Sequence, residues 1–173
     1  MAFTACTETN DEVNAVSKIT RYEFTANIAE ETRSGFAGSE TVDGKTTYKS
    51  EWHEGDEIKL FVTDNISYNV VETAPISADG KFTLELTDAP ESFNMIVCSP
   101  AESWTNENGY IEYIIPTEQA PLANSVDPKA HLLQSQNVTV SNGVAAEAIN
   151  MTHQVAYGKM TVKGVDFAID HVV

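Results

Sequence analysis

Apolar and polar residues alternate with a period of two along most of the chain from Lys18 onward. In segment 19–28 one face is apolar and carries Tyr22, Phe24, Ala26 and Ile28. The other face is polar and carries Arg21, Glu23, Thr25 and Asn27. This pattern is typical of a β-strand with one buried side and one solvated side. We therefore predict that segment 19–28 forms a half-buried β-strand.

The same alternation recurs in short segments: Glu57–Val62, Ser67–Val71, Lys81–Leu86, Phe93–Cys98, Tyr110–Ile115, Asn137–Val140 and Val155–Val165. Asp79-Gly80 and Asn142-Gly143 are turn signals between them. Pro100 and Pro116 end two segments, because proline cannot donate to a ladder. The region Ser34–Lys49 is the longest predicted loop.

Helical signals are few. The segment Asp127–Leu133 is compatible with a helix of one or two turns that begins at a proline, and equally with a short strand after a bend. Short strands at this spacing predict an all-β protein, an antiparallel β-sandwich with Greek-key-like layers of the transthyretin or immunoglobulin type. At most one or two short helices are expected.

The composition fits one globular unit and narrows the range of partners. The 173 residues are 42% hydrophobic, and 10 basic against 26 acidic residues give a net charge of −16. The hydrophobic fraction excludes wholesale disorder, and no apolar run is long enough to span a bilayer as a helix. Since nucleic acids and anionic lipids would be repelled, we expect no nucleic-acid partner.

The two cysteines predict different roles. Cys98 stands in an apolar run, where a free cysteine is usually a small buried hydrophobic residue. Cys6 ends the segment Phe3-Thr4-Ala5-Cys6, which resembles a bacterial lipobox, although the apolar core of a signal peptide is missing. Either this likeness arises by chance, or Cys6 is a lipid-bearing N-terminus. In the second case residues 1–17 form a lipoprotein N-terminus and a flexible acidic tether.

Residues 18–173 are then the sandwich domain. Its last segment still alternates, with Val165, Phe167 and Ile169 on one face. We expect that a second sandwich follows in a longer protein.

No segment predicts a catalytic centre, a metal site or a cofactor site. Glu51–Glu57 contains four carboxylates, His53 and Trp52, but its spacing matches neither a calcium loop nor a zinc motif. We interpret the segment as a solvated turn ahead of the strand at Glu57, with Trp52 packed at the sheet edge. His131, His153 and His171 lack ligand spacing, and Trp104, Tyr110 and Tyr113 are either a platform for sugar rings or ordinary core and rim residues. The prediction is a protein that is not an enzyme.

Four segments together resemble the fimbrillin family of Bacteroidetes surface proteins, the subunits and relatives of type V pili. They are Tyr22–Arg33, Trp52–Phe61 (Trp-His-Glu-Gly-Asp-Glu-Ile-Lys-Leu-Phe), Val126–Leu133 and Met151–Val162. The resemblance spans about residues 18–164. The chain departs from the family at Val97-Cys98-Ser99-Pro100, where relatives often carry an aromatic pair before the proline.

The resemblance implies a fimbrial subunit or fimbrillin-like adhesin, displayed at the cell surface and anchored in the outer membrane by lipid on Cys6. It implies that a trypsin-like protease removes a terminal strand, and that a strand from another fimbrial subunit fills the groove by β-augmentation. On this basis we predict that segment 19–28 is the removed strand. Arg33 is then the processing site, or an ordinary surface arginine, and Arg21 is the weaker candidate.

Two other functions stay open at this point. One is a glycan-binding surface lipoprotein that contacts host or bacterial surface glycans or proteins through Trp52, Trp104 and Tyr110. The other is a hydrolase that uses carboxylates near Trp52, such as Glu54.

Overall fold

The described part of the chain is built from thirteen β-strands and two 3₁₀ helices. A computed structural model describes residues 17–28, 39–42, 45–48, 51–107, 109–119 and 127–155. The strands are β1 (Ile19–Ile28), β2 (Ser39–Val42), β3 (Lys45–Tyr48), β4 (Glu57–Thr63), β5 (Asn69–Pro75), β6 (Lys81–Thr87), β7 (Ser92–Ser99), β8 (Trp104–Glu107), β9 (Tyr110–Tyr113), β10 (Leu133–Ser135), β11 (Val138–Ser141), β12 (Val144–Ala145) and β13 (Ile149–His153). The 3₁₀ helices are Ala101–Ser103 and Pro128–Ala130. The all-β prediction and the expectation of at most two short helices are confirmed.

Nine strands form one connected sheet around the core. β6 pairs with β1, β1 with β13, β13 with β10 and β10 with β7. On its other edge β7 pairs with β4, which pairs with β5, while β11 and β12 extend from the first half of β7. The hairpins β2–β3 and β8–β9 are separate two-stranded sheets.

One pairing differs from the purely antiparallel prediction. Ala26–Ile28 of β1 run parallel to Ile149–Met151 of β13, while Ile19–Thr25 pair antiparallel with β6. β1 therefore passes from a ribbon with β6 into the larger sheet, and the sheet is mixed. The two separate layers of a sandwich remain a prediction.

The alternating face predicted for segment 19–28 is confirmed. Phe24 and Ala26 are buried, Tyr22 and Ile28 are partly buried against the core, and the four polar positions 21, 23, 25 and 27 are exposed. Across the core, the rings of Tyr22 and Phe93 meet edge to face with centroids 5.5 Å apart. Burial of this face accounts for the attachment of β1.

A smaller apolar cluster covers the outer face of β4 and β7. Phe61, Cys98, Trp104 and Leu132 are buried together there, with Ile111 of β9 packed against them. Both faces of β4 are thus covered, which explains its nearly continuous apolar sequence. Cys98 is fully buried as predicted, and burial raises the pKa of its thiol.

Several element boundaries differ from the predictions. The prediction of a loop over Ser34–Lys49 is wrong at residues 39–42 and 45–48, which form the strands β2 and β3. Asn142-Gly143, both at positive φ, join β11 to β12, and the strand that follows is β13. The predicted strand Val155–Val165 lies outside the described residues beyond Val155. For the segment after Asp127 we predict either a short helix or a short strand. The structure has a short 3₁₀ helix followed by the strand β10.

Between β10 and β11 a side chain replaces the main-chain ladder along β7. Both strands lie along the same edge of β7, one after the other. Between them the Ser135 hydroxyl oxygen accepts the Val97 N–H at 2.9 Å and its proton is donated to the Gln136 carbonyl at 2.8 Å. The buried Val97 N–H therefore keeps a partner where the ladder along β7 is interrupted.

Gly80 is a position where only glycine fits. Its φ is +78°, and a Cβ atom there would lie 2.3 Å from the Ala26 carbonyl oxygen of β1. Gly55 also has positive φ, at +97°, but a Cβ atom would meet nothing within 4 Å.

We expect Gly55→Ala to lower the free energy of unfolding by about 1 kcal/mol and Gly80→Ala by about 3 kcal/mol or more. Urea unfolding of both variants measures the difference, and equal losses would contradict the steric role of Gly80.

Candidate functional site

The site predicted from the sequence is β1 together with the groove that holds it. β1 is bounded by β6 along residues 19–25 and by β13 at residues 26–28. Its inward side chains contact the core, with the ring centroids of Phe24 and Phe82 5.6 Å apart. Without β1, the facing edges of β6 and β13 would lose their partner and apolar core residues would be open to solvent.

A buried hydrogen bond attaches β1 near its carboxyl end. The Trp52 indole N–H donates to the Ala26 carbonyl at 2.9 Å. The Ala26 N–H donates to the Gly80 carbonyl at 2.8 Å, whereas the Gly80 N–H turns away and donates to Ser77. In a regular ladder the Gly80 N–H would donate to the Ala26 carbonyl, but here it donates within the turn. The Trp52 indole N–H is the donor to that carbonyl instead.

This Trp52 contact was missed by the sequence analysis, which treated Trp52 as a sheet-edge or glycan-contact residue. The available signal was weak: a tryptophan before a turn, and one small residue, Ala26, among larger ones on the inner face of the first strand. Trp52 is 7% exposed. The prediction that Trp52 contacts a glycan is therefore wrong, because its side chain is buried.

Arg21 lies within β1 and faces solvent. Its Nε is 4.0 Å from a Glu85 carboxylate oxygen, and both side chains are more than half exposed. Because Arg21 pairs with Glu85 inside the β1–β6 ladder, a protease can reach the peptide bond after it only if β1 opens. The two other predicted site residues, Arg33 and Cys6, lie outside the described residues.

The predicted aromatic platform is only partly at the surface. Trp104 is 2% exposed, and its indole N–H donates to the Ser99 carbonyl at 3.0 Å, so Trp104 is wrong as a contact residue. The ring of Tyr113 meets Trp104 edge to face at 5.3 Å. Tyr110, at 72% exposure, and Tyr113 do reach solvent on the β8–β9 hairpin, next to Ile114 and Ile115.

The acidic segment 51–57 is a turn that leads into β4. The His53 N–H donates to the Asp56 carboxylate at 2.8 Å, and the Asp56 N–H donates to the His53 carbonyl at 3.2 Å. Glu54 is exposed at the tip of this turn. Within the described ranges no group of three metal-ligating side chains comes together. This geometry is that of a solvated turn.

His131 and His153 contact each other although they are far apart in sequence. Their ring centroids are 4.7 Å apart, and His153 is at the end of β13, opposite Leu133. Burial lowers the pKa of His131 to about 4, with smaller contributions from His153 and His53. Burial also lowers the pKa of His153. Both imidazoles are therefore neutral at neutral pH.

The described residues form an all-β protein in which β1 lies between β6 and β13. Among the residues the structure describes, none forms a helix of the length and apolarity that a membrane span requires. Comparisons with models of known protein families, with curated proteins and with solved structures found no match. The fimbrillin resemblance therefore rests on the sequence segments alone.

The histidine contact predicts loss of stability in mild acid. The pKa of His131 is lower in the folded chain than its ordinary value of 6.5, so its contribution is complete above pH 6.5 and is lost as the pH falls toward 4. We expect a loss on the order of 2 kcal/mol from this residue between pH 7 and pH 4.5. Urea unfolding across that range measures it.

His131→Asn should flatten this pH dependence, because the variant has no group to titrate there. His53→Asn is the matched control: because burial is the main cause of the lowered His131 pKa, this variant should change the slope less than His131→Asn. Parallel slopes for the native chain and His131→Asn would contradict the assignment.

Proposed function

We propose that this protein is a structural and adhesive cell-surface protein, a fimbrial subunit or fimbrillin-like adhesin that assembles by β-strand donation. The observation that carries the proposal is the setting of β1. It is a single amphipathic strand that fills a groove between β6 and β13 and contributes Phe24 and Ala26 to the core. A strand from another subunit with the same alternation would satisfy the same edges.

The groove has few requirements for the amino-acid sequence of a strand that binds in it. Trp52 binds a backbone carbonyl of β1, and the β6 and β13 edges bind peptide groups, so any extended chain provides these partners. Side-chain requirements are limited to the inward positions, where Ala26 is small and Phe24 is large. This division between backbone affinity and alternating pockets is typical of strand addition.

In this proposal Arg33 is the processing site, because Arg21 lies inside a paired strand. Cys6 is the lipid anchor that holds the unprocessed protein at the outer membrane. Cleavage after Arg33 would release both the anchor and β1 as one peptide. Polymerisation then requires a donor strand to replace β1.

Limited digestion of membrane-extracted protein with an arginine-specific protease tests both assignments. We expect the N-terminal sequence of the product to begin at Ser34, and the released peptide to carry the mass of lipid on Cys6. The digested chain should form multimers in size-exclusion chromatography with light scattering. Preferred cleavage elsewhere, with β1 retained, would refute the processing site.

Two matched variants sharpen this experiment. Arg33→Gln should remain uncleaved under the same digestion and should not form the larger multimers, whereas Arg21→Gln should be processed and should assemble as the native chain does. Arg33→Gln assembling normally would contradict the proposal.

A second candidate is a glycan-binding surface lipoprotein, and the exposure of Tyr110 beside Tyr113 favours it. Tyrosine rings present an apolar face and a polar tip, which suits sugar rings. If this is the function, Tyr110→Ala should reduce binding on a glycan array about tenfold. Ile66→Ala, a control at an exposed apolar residue in the turn before β5, should leave binding unchanged. Equal binding by all three chains would exclude Tyr110 as a contact.

A further inference from the structure

Among the residues that the structure describes, no strand pairs with one edge of β1 over its first half. The Ala26 N–H donates to the Gly80 carbonyl, and the Asp88 N–H donates to the Lys18 carbonyl, both at 2.8 Å. In an antiparallel ladder, hydrogen bonds join every second residue pair. The peptide groups of even-numbered residues in β1 therefore face β6, and those of Ile19, Arg21 and Glu23 face the opposite edge.

We call the peptide groups of Ile19, Arg21 and Glu23 the free edge of β1. β13 pairs with β1 only at Ala26–Ile28, and no strand within the described ranges pairs with β1 at residues 19–25 except β6. Exposed sheet edges of this kind form templates for pairing with another chain. The free edge is therefore a candidate interface.

The side chains at the free edge of one copy are complementary in charge to the same side chains of a second copy. Arg21 and Glu23 are both exposed and lie on the same outer face of β1. If two copies pair antiparallel around a twofold axis at Tyr22, Arg21 of each copy lies directly opposite Glu23 of the other. The same register makes Arg21 and Glu23 a hydrogen-bonded pair, because both have their peptide groups on the free edge.

We propose that the free edge of β1 binds a second copy of this chain, forming a twofold dimer with the continuous strand order β6-β1-β1-β6. This inference goes beyond strand donation, since it concerns the unprocessed chain, in which β1 is still present. Opposite charges placed directly across a strand pair stabilise it, and like charges destabilise it.

Two further features fit this partner. Tyr22 is only partly buried, so its remaining exposed surface would meet the Tyr22 ring of the second copy at the twofold axis. The Arg21–Glu85 contact at 4.0 Å is long and solvent-exposed, so Arg21 loses little by turning to a second partner. A strand-edge contact of a few residues is small for an interface, so we expect a weak dimer with a dissociation constant between about 10 and 100 μM.

Sedimentation-velocity measurements on the unprocessed full chain test the proposal. They are made over a range of concentrations at about 150 mM salt, where the repulsion between two chains of net charge −16 is screened. We expect a reversible monomer–dimer equilibrium. Arg21→Glu, which places Glu opposite Glu23, should weaken dimerisation by about tenfold or more, and so should Glu23→Arg.

Charge exchange makes the test specific. The double variant Arg21→Glu with Glu23→Arg restores both pairs and should dimerise like the native chain. A mixture of the two single variants should form a heterodimer, because one copy is then acidic at both positions and the other basic. Glu85→Gln, which alters the Arg21 partner without touching the free edge, is the matched control and should leave dimerisation unchanged.

A native chain that stays monomeric at about 100 μM would overturn the proposal. Single variants that dimerise as tightly as the native chain, or a double variant that fails to recover dimerisation, would also overturn it. These outcomes are separate from the digestion experiment, since the proteolytic release of β1 plays no part in them.

Discussion

The position of β1 depends on the buried contact of Trp52, Ala26 and Gly80. At that point the β1–β6 ladder ends, and a regular donor is lost because the Gly80 N–H belongs to the turn. An unpaired buried carbonyl costs about 1–3 kcal/mol, and the Trp52 indole N–H removes this cost. Glycine at position 80 and alanine at position 26 give the indole and the two strands room to meet. The entry of β1 into the sheet formed by β13 follows from this junction.

Much of the strand pattern was predictable because one face of most strands is solvated. Period-two alternation identified β1, β4 and β6 with nearly correct limits, and proline marked the end of β7. The β2–β3 hairpin was missed, since its residues are mainly polar and carry glycine and threonine signals common to loops. The parallel pairing of β1 with β13 was also missed, because pairing between distant strands leaves no local pattern in sequence.

The predictions of contact residues were less accurate for a related reason. Tryptophan is amphipathic, and the sequence does not distinguish an indole exposed to a ligand from one whose N–H binds a buried carbonyl. Trp52 and Trp104 both belong to the second class, each bound to a main-chain oxygen. Tyr110, by contrast, is exposed to solvent. The acidic turn before β4 was correctly described as solvated, since Gly55 at positive φ and flanking carboxylates are ordinary turn chemistry.

The unequal pairing of β7 and β1 sets an order of local opening. β7 has partners on both edges, with β4 on one side and β10 and β11 on the other, and even its Val97 amide between the two is bonded by Ser135. Within the described residues, β1 pairs with β6 at positions 19–25 and with β13 only at positions 26–28. We therefore expect amide hydrogen exchange under native conditions to be faster in the first half of β1 than in β7. If β1 detached in such a local opening, the groove between β6 and β13 would be exposed.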